Sequence, residues 1–277
     1  MKFAVCNEMF EGRSYDEQLE IITECGYQAV ELAPFTFAKS VTDIPAQERK
    51  RIATRPGEFG LQVAGIHWVL VGPEGLHMSD PDPEVHKRTI AYISDLVRFC
   101  HDLGGEIIVF GSPNQRSIPP GLTRSMAWDR FMEAVLEGLN IPEAEHVYFC
   151  LEPLTSRLTN FLNTPDEVAR MLREMRHPQV KMILDTYSMN AEGVDMPAAI
   201  RKHKDWLYHV HVNDDNQLGP GYGSIDFVPV LRALQDIGYE RYVSVEIFDF
   251  SRDTVEVARN SLAHLKQCLE KAGGGAR

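Results

Sequence analysis

The stretch VYFCLEPLTSRLTNFLNTPDEVARMLREMRHPQVKMILD, residues 147–185, decides the fold because it contains one complete strand-helix-strand unit. A β-rich run at 147–153 leads into a segment where Thr164 can cap a helix and Pro165 can take its first position. A second β-rich run follows at 180–185. Two strands joined by a helix form the repeating unit of α/β folds.

The same rhythm runs from one end of the chain to the other. Glycines at 26, 104 and 238 fall where helices should end. A doubly wound sheet would carry a glycine-rich first turn, which the segment NEMFEGRS after the first run lacks. The pattern therefore predicts an α/β fold, a single (β/α)8 TIM barrel over residues 1–277 with a frayed tail at 272–277. The eight predicted strands are 2–6, 29–33, 62–67, 106–111, 147–153, 180–185, 207–212 and 242–247.

Composition and charge exclude several kinds of partner. The chain is 44% hydrophobic and 25% charged, as in ordinary globular proteins, and its formal charge is −12 with the basic residues scattered. This argues against nucleic acid, because phosphate binding needs clustered Lys and Arg. No apolar run reaches the length of a membrane span or a signal-peptide core. The five cysteines are widely spaced and odd in number, which predicts buried free thiols and a cytoplasmic protein.

Four polar side chains stand at the ends of consecutive predicted strands: Glu152, Asp185, His211 and Glu246. Side chains alternate along a strand, so each shares the inward face with the residue two before it. Active sites of such barrels form at the carboxyl ends of the strands. Three carboxylates and an imidazole in one space would raise each other's pKa and destabilise the fold, and a divalent cation resolves the conflict. The alternative is four separate polar residues, each held by a backbone amide or a local salt bridge.

The ligand set of three oxygens and one nitrogen suits a cation of intermediate hardness. We expect one divalent metal ion, Mn²⁺ first, with Mg²⁺, Co²⁺ or Zn²⁺ also compatible. Removal of a proton next to a ketone is difficult because the carbon acid is weak, so the developing negative oxygen needs a cation beside it. The residues themselves are therefore compatible with enolisation chemistry.

Four motifs in the second half of the chain carry a family resemblance: LEPL at 151–154, ILDTYSMN at 183–190, HVHVNDDN at 209–216 with GPGYGSIDF after it, and VSVEIF at 243–248. In this order they resemble the sugar isomerase and epimerase superfamily of xylose-isomerase-like barrels. The ketose 3-epimerases of the D-tagatose 3-epimerase type and the hydroxypyruvate isomerases are the most similar groups. The strand-helix rhythm extends the likeness to the whole chain.

The resemblance implies that Glu152, Asp185, His211 and Glu246 bind the metal. It also implies that Glu152 and Glu246 are catalytic, facing opposite sides of a bound sugar as an acid/base pair. One glutamate would take a proton and the other would return one through an enediolate. Return to the opposite face gives epimerisation, and return to the neighbouring carbon gives aldose-ketose isomerisation. The resemblance allows a homo-oligomer, because relatives commonly form dimers or tetramers.

Several further residues have both a functional and a structural interpretation. His67 could contact substrate oxygens or end its strand as a satisfied histidine, and Trp68 could wall the pocket or pack. Glu31 could contact a substrate hydroxyl, but we expect it to be a surface or structural carboxylate. We expect His209 to be a core residue or a supporting group behind a ligand. The segment 213–216 reads as loop residues at the pocket rim.

Three positions depart from the ketose 3-epimerase pattern. Those enzymes carry a histidine where this chain has Ser188, an acidic residue where it has Leu158, and an arginine where it has Gln217. The resemblance places these positions at the substrate, so Ser188 and Gln217 are substrate-binding candidates. The differences argue against a free-ketohexose 3-epimerase, while the metal site is intact.

The leading hypothesis is a metal-dependent isomerase or epimerase of a sugar or sugar derivative. The alternative from another class is a metal-dependent lyase or dehydratase acting on a keto sugar or keto-glycoside, which uses the same enolisation. An abasic-site endonuclease would require more strand-end histidines than the sequence offers, and the acidic charge opposes DNA binding. A non-catalytic sugar-binding barrel would leave the paired glutamates unexplained.

Overall fold

The computed structural model describes residues 1–273 of the chain. Its eight parallel strands close into one barrel in the order of the sequence. A right-handed helical crossover between neighbouring strands explains this order, because parallel neighbours cannot be joined by a tight turn. The strands are β1 (Lys2–Cys6), β2 (Ala29–Leu32), β3 (Gln62–Ile66), β4 (Ile107–Phe110), β5 (Tyr148–Leu151), β6 (Val180–Asp185), β7 (Leu207–Val212) and β8 (Tyr242–Val245).

Ten α-helices connect and flank the strands within residues 1–273. Local sequence sets their ends: Ser14 and Glu17 form a reciprocal capping box at the start of the first helix, and Gly26 ends it with φ +89°. The helices are α1 (Tyr15–Cys25), α2 (Ala46–Glu58), α3 (Pro83–Asp102), α4 (Pro113–Arg116), α5 (Arg124–Gly138), α6 (Pro165–Met175), α7 (Thr186–Ala191), α8 (Met196–Lys202), α9 (Phe227–Asp236) and α10 (Thr254–Gly273).

By its internal contacts the chain divides into two compact units, and the first comprises 1–32, 55–64 and the residues from 183 onward. In it β1 pairs with β2 and with β8, and β7 pairs with β8. Three small side chains and one ring form a buried cluster: Ala4 of β1, Ala29 of β2, Ala64 of β3 and Tyr242 of β8. The carboxyl-terminal halves carry the polar side chains described below.

The second unit comprises 33–54 and 65–182. In it β4 pairs with β5, and β5 pairs with the first half of β6. Gly65 of β3 lies so close to the carbonyl of Ile107 that a Cβ would not fit, which explains a glycine in a strand interior. Aromatic rings fill the space between the sheet and its helices, with Phe110 lying 5.5 Å from Phe131 and 5.4 Å from Phe149 between ring centroids.

The predicted barrel and all eight strands are confirmed, although five strands end one or two residues earlier than predicted. The predicted cap is also confirmed, because Oγ1 of Thr164 accepts a hydrogen bond from the amide of Glu167 at 3.2 Å. The prediction of a frayed tail from 272 is wrong at its start. Ala272 and Gly273 end α10, and Ala272 is buried because the apolar stripe of that helix continues to it. The rest of the predicted tail, 274–277, lies outside the described residues.

The prediction of five buried free thiols is confirmed only in part. All five cysteines are free thiols, but Cys25 is half-buried rather than buried, since it lies in the last turn of α1. Among the described residues, no helix has the length and apolarity that crossing a membrane requires.

Candidate active site

Asp185 ends β6 and begins α7 at the same time. Its Oδ1 accepts a 2.6 Å hydrogen bond from the amide of Ser188, so the carboxylate caps the helix. Its Oδ2 is buried and has no hydrogen-bond partner among the described residues. An oxygen of Asp185 and a ring nitrogen of His211 lie within 4.8 Å of each other. One carboxylate oxygen therefore fixes the backbone, and the other is left for a ligand.

His211, near the end of β7, lies between two carboxylates. Its Nδ1 is 2.9 Å from Oε2 of Glu246, which directly follows β8, and its Nε2 is 2.9 Å from Oε1 of Glu31, at the end of β2. All three side chains are buried. Predicted metal ligands Asp185, His211 and Glu246 are thus brought together by three strands of the first unit.

Glu31 and His209 form a second row behind His211. Oε2 of Glu31 lies 2.7 Å from Nε2 of His209, so one carboxylate contacts both histidines of β7. Glu31 was expected to be a surface or structural carboxylate. The surface position is wrong, because this side chain is fully buried. The inward face of β2 places it there. The supporting position expected for His209 agrees with its burial and its contact with Glu31.

Burial and neighbouring charge shift the pKa values in this cluster. Burial raises the pKa of Asp185 to about 6, with the charge of Glu246 adding to the effect. Burial alone would lower the pKa of His211, but the charges of Glu31 and Glu246 raise it well above its ordinary value. Burial alone would raise the pKa of Glu31, but the two histidines hold it well below its usual range. The cluster therefore holds a surplus of negative charge that His211 only partly compensates.

Glu8 is a member of the cluster that the sequence analysis missed. It follows β1 in a short 3-10 helix (Asn7–Phe10), and its side chain is buried. A carboxylate oxygen of Glu8, one of Glu246 and the thiol sulfur of Cys6 all lie within 4.8 Å of one another. Glu8 lies two residues after the end of β1, close to the strand-end position that identified the other four residues, and it could have been found in that way.

Glu152, the predicted metal ligand and acid/base residue of the second unit, directly follows β5. Its amide donates to the carbonyl of Phe110 at 3.1 Å, which continues the pairing with β4 beyond the strand. Its side chain is buried, with Oε2 against the Cα of Gly111, where an added Cβ would clash. The glycine after β4 therefore provides the space that this carboxylate occupies.

Arg116, in α4, is a buried cation behind Glu152 that no sequence pattern singles out. Its Nη1 donates to the carbonyls of Glu152 at 2.6 Å and Gly111 at 3.1 Å, and its Nη2 donates to the carbonyl of Leu162 at 3.3 Å. Burial lowers its pKa to about 10, against the opposing charges of Glu152 and Glu167. This side chain ties the ends of β4 and β5 together.

His67 and Trp68 directly follow β3, which ends at Ile66, one residue before its predicted end at His67. His67 is almost fully buried. Trp68 has a left-handed backbone with φ +53°, which is rare for an aromatic residue, and its ring meets Phe35 edge-on with centroids 6.1 Å apart. A strained, partly exposed aromatic residue after a barrel strand fits a substrate wall. Both residues remain substrate-binding predictions.

Ser188 and Gln217, the other predicted substrate-binding residues, lie in different surroundings. Ser188 is buried, and its amide donates to the carboxylate of Asp185, which caps α7. Gln217 has φ +68°; its Nε2 donates to the hydroxyl of Tyr187 at 3.0 Å, and its carbonyl accepts from the amide of Phe248 at 2.9 Å. Gln217 thus joins the loop after β7 to the start of α7 and to the segment after β8.

The interpretation of the loop after β7 as a pocket rim is wrong for its first two residues. Asn213 and Asp214 are fully buried. Oδ1 of Asn213 accepts from the amide of Tyr187 at 2.8 Å, and the carboxylate of Asp214 accepts from the amides of Gly221 and Ile225, both at 3.0 Å. Asn213 thus joins the end of β7 to α7, and Asp214 holds the following loop in place from inside, because its backbone amides need acceptors.

The group of Asp185, His211 and Glu246 fits a divalent cation on chemical grounds. Mn²⁺ and similar divalent cations bind carboxylate oxygens and imidazole nitrogens. The buried Oδ2 of Asp185 has no hydrogen-bond partner within the described residues. Burial and the charge of Glu246 raise the pKa of this carboxyl to about 6, against the opposing effects of Ser188, His211 and Asn213. A bound cation would give Oδ2 a partner and would compensate the charge of the carboxylate.

Comparisons with known proteins agree with the barrel fold. The family model described as "Xylose isomerase-like TIM barrel" matches residues 19–268. A D-psicose 3-epimerase of Ruminiclostridium cellulolyticum is 32% identical over 84% of this chain and 78% of its own length. A 3-dehydro-D-guloside 4-epimerase of Escherichia coli is 27% identical over 97% of this chain and all of its own.

Among solved structures, a D-psicose 3-epimerase with D-tagatose from Clostridium cellulolyticum superposes with a TM-score of 0.83. It is 25% identical and covers 97% of this chain and 99% of its own. The likeness therefore extends over nearly the whole chain.

Proposed function

The chain belongs to the xylose isomerase-like TIM barrel family and is an enzyme that acts on sugars, and from this premise we propose that it is a divalent-metal-dependent epimerase or isomerase of a sugar or sugar derivative. Mn²⁺ is the cation that best suits the proposed ligands, with Mg²⁺, Co²⁺ and Zn²⁺ as alternatives. The enzyme is one barrel domain, and its five free cysteines support a cytoplasmic location.

The observation that carries the proposal is the buried Oδ2 of Asp185, which lacks a hydrogen-bond partner within the described residues and belongs to a carboxyl whose pKa is raised to about 6. A buried polar atom without a partner is costly, and such atoms persist where a ligand completes them. Glu246 contributes to that raised pKa, and His211 contacts Glu246 through Nδ1. A cation ligated by these three residues would remove the cost.

Glu152 is the fourth proposed ligand. Glu152 directly follows β5, and Glu246 directly follows β8. In a closed parallel barrel all strands end at the same face, so residues that follow the strands belong to that face. Its orientation has local support, because Gly111 leaves room for its carboxylate and Arg116 holds its carbonyl. We propose that it serves with Glu246 as the acid/base pair.

The chemistry follows from these roles. When bound, the divalent cation would lower the energy of the enediolate by attracting its developing negative charge. One glutamate removes the proton next to the sugar carbonyl, and the other glutamate donates a proton to the opposite face. Inversion at that carbon is epimerisation. Return of the proton to the neighbouring carbon would give isomerisation instead.

The substrate class is a ketose or a keto-glycoside. One relative acts on D-psicose and the other on a 3-dehydro-D-guloside, and this chain spans nearly the full length of the second. Ser188, Leu158 and Gln217 differ from the ketose 3-epimerase pattern, which supports a modified sugar over a free ketohexose. The relatives named above are epimerases, so they lend no support to the lyase alternative.

The proposal is tested with metal-stripped protein reloaded with Mn²⁺ and incubated with a panel of ketoses and 3-keto-glycosides. We expect an epimer or isomer of unchanged molecular formula and no product without added metal. Asp185→Ala and Glu246→Ala should each lose metal retention and activity together. Full activity of either variant, or loss of a substituent from the sugar, would refute the proposal.

A further inference from the structure

Glu31 is the buried carboxylate whose two oxygens contact two histidines of the same strand. Oε1 lies 2.9 Å from Nε2 of His211, and Oε2 lies 2.7 Å from Nε2 of His209. We propose that Glu31 is a positioning residue, which fixes the tautomer and ring orientation of His211 so that Nδ1 is available to the cation. This inference rests on the proposed function, because it assigns a supporting residue to the same site.

The two ring nitrogens of His211 have different partners, and these determine which nitrogen carries a proton. A histidine that ligates a metal through Nδ1 must carry its remaining proton on Nε2. A carboxylate is an acceptor only, so Glu31 stabilises a proton at Nε2 and opposes ligation through that nitrogen. Nδ1, on the other side of the ring, points toward Glu246 at 2.9 Å. Glu246 is itself a proposed ligand, so a cation bound there would replace the proton at Nδ1, whereas the contact with Glu31 keeps the proton at Nε2.

Glu31 is itself held in place from behind. A fully buried carboxylate is costly unless donors satisfy both of its oxygens. His209 supplies the second donor one layer deeper in the barrel, and its ring meets that of His211 edge-on with centroids 5.0 Å apart. Because His209 and His211 project from the same side of β7, one strand fixes the geometry of the pair.

The negative charge of Glu31 also raises the basicity of His211 as a ligand, which strengthens metal binding. Loss of such an outer hydrogen bond typically weakens metal affinity by about 10- to 100-fold. Glu31→Gln keeps the size of the side chain and one acceptor but removes the charge. We expect this variant to bind Mn²⁺ at least about 10-fold more weakly than the wild type, and Glu31→Ala to bind more weakly still.

The test is calorimetric titration of metal-stripped protein with Mn²⁺ alone, without substrate. The matched control is Asp214→Asn, which removes another fully buried carboxylate at the end of β7 that binds loop amides rather than His211. The control should keep its Mn²⁺ affinity within about threefold of the wild type. Circular dichroism verifies that each variant is folded before titration.

A measurement on the wild type keeps the inference testable if Glu31 variants do not fold. Nitrogen NMR of the histidine rings, with Zn²⁺ as a diamagnetic ion, should show His211 protonated at Nε2 and ligated through Nδ1. Ligation through Nε2, or equal Mn²⁺ affinity of Glu31→Gln and wild type, would overturn the positioning role and leave the proposed function standing. A wild type that binds no divalent cation would refute both.

Discussion

The buried guanidinium of Arg116 donates a 2.6 Å hydrogen bond to the backbone carbonyl of Glu152. The same side chain donates to the carbonyls of Gly111 and Leu162. A single planar group thus fixes three backbone segments around the strand end that carries a proposed catalytic carboxylate. Lysine cannot reproduce this fork of donors.

Arg116→Lys should therefore lower both stability and turnover. We expect a loss of about 3 kcal/mol in the free energy of unfolding, because buried carbonyls lose their donors. A shift of the Glu152 backbone should lower kcat by 10-fold or more, since small misplacements of reacting groups are costly. Urea denaturation and steady-state kinetics measure the two effects. Arg124→Lys, at an exposed arginine bonded to Asn160 and Glu167, is the control and should change either value little.

Gly111→Ala should impair the site with little effect on the rest of the fold. An added methyl group would clash with Oε2 of Glu152, which must rotate away. We expect loss of Mn²⁺ affinity and of activity, measured by titration and by product formation. Gly57→Ala, at a helical glycine with open space around it, should leave both unchanged and alter stability by less than about 1 kcal/mol. Normal metal binding by Gly111→Ala would contradict the orientation assigned to Glu152.

The fold was predictable because its signals are local and repeat eight times. The cap at Thr164 and the β-rich run at 180–185 are visible in a short window, and the barrel follows from their repetition. The predicted ends of the strands were less accurate. Glu152 and Glu246 were predicted to lie within their strands, but they directly follow β5 and β8. Pairing geometry, rather than composition, decides where a ladder stops.

The site was predictable only in part, because its members come from distant segments. Asp185 and His211 stand at strand ends where alternation predicts their direction. Burial of Glu31 depends on contacts with residues about 180 positions away, which no local pattern records. Arg116 was missed for the same reason, since an arginine in a short helix is ordinarily exposed. Glu8 was missed although its strand-end position was visible.

Asp185→Asn should stabilise the metal-free protein at high pH. Burial raises the pKa of Asp185 to about 6, so the carboxylate costs stability once the pH exceeds the unfolded pKa near 4, and the cost is complete above pH 6. Asparagine avoids that cost and can still cap α7. We expect a gain of about 2 to 3 kcal/mol at pH 8 that shrinks as the pH falls from 6 to 4, measured by urea denaturation.

The same variant provides its own check on the metal assignment. Added Mn²⁺ should stabilise the wild type at pH 8 and leave Asp185→Asn unaffected, because binding to the folded state alone raises stability. A wild type and a variant with identical stability at every pH would show that the charge of Asp185 carries no cost. The metal assignment would then lose its main support.

Gln217→Ala should affect the substrate side while leaving metal affinity intact. The substitution removes the hydrogen bond to the hydroxyl of Tyr187 and leaves the backbone strain at φ +68° unchanged, because glutamine and alanine both carry a Cβ. We expect a stability loss of about 1 kcal/mol and a KM raised severalfold, with Mn²⁺ affinity unchanged. Tyr187→Phe, which removes the other partner of the same bond, is the matched comparison. A change in metal affinity in either variant would place Gln217 nearer the cation than proposed.

Deuterium incorporation tests the proton transfer between Glu152 and Glu246 most directly. The Mn²⁺-loaded enzyme is incubated in D₂O with the sugar that it converts, and the product is examined by NMR and mass spectrometry. We expect a product that keeps every substituent and carries one deuterium at the inverted carbon, or at the neighbouring carbon if the reaction is isomerisation. A product that contains no deuterium, or one that has lost a substituent, would contradict this expectation.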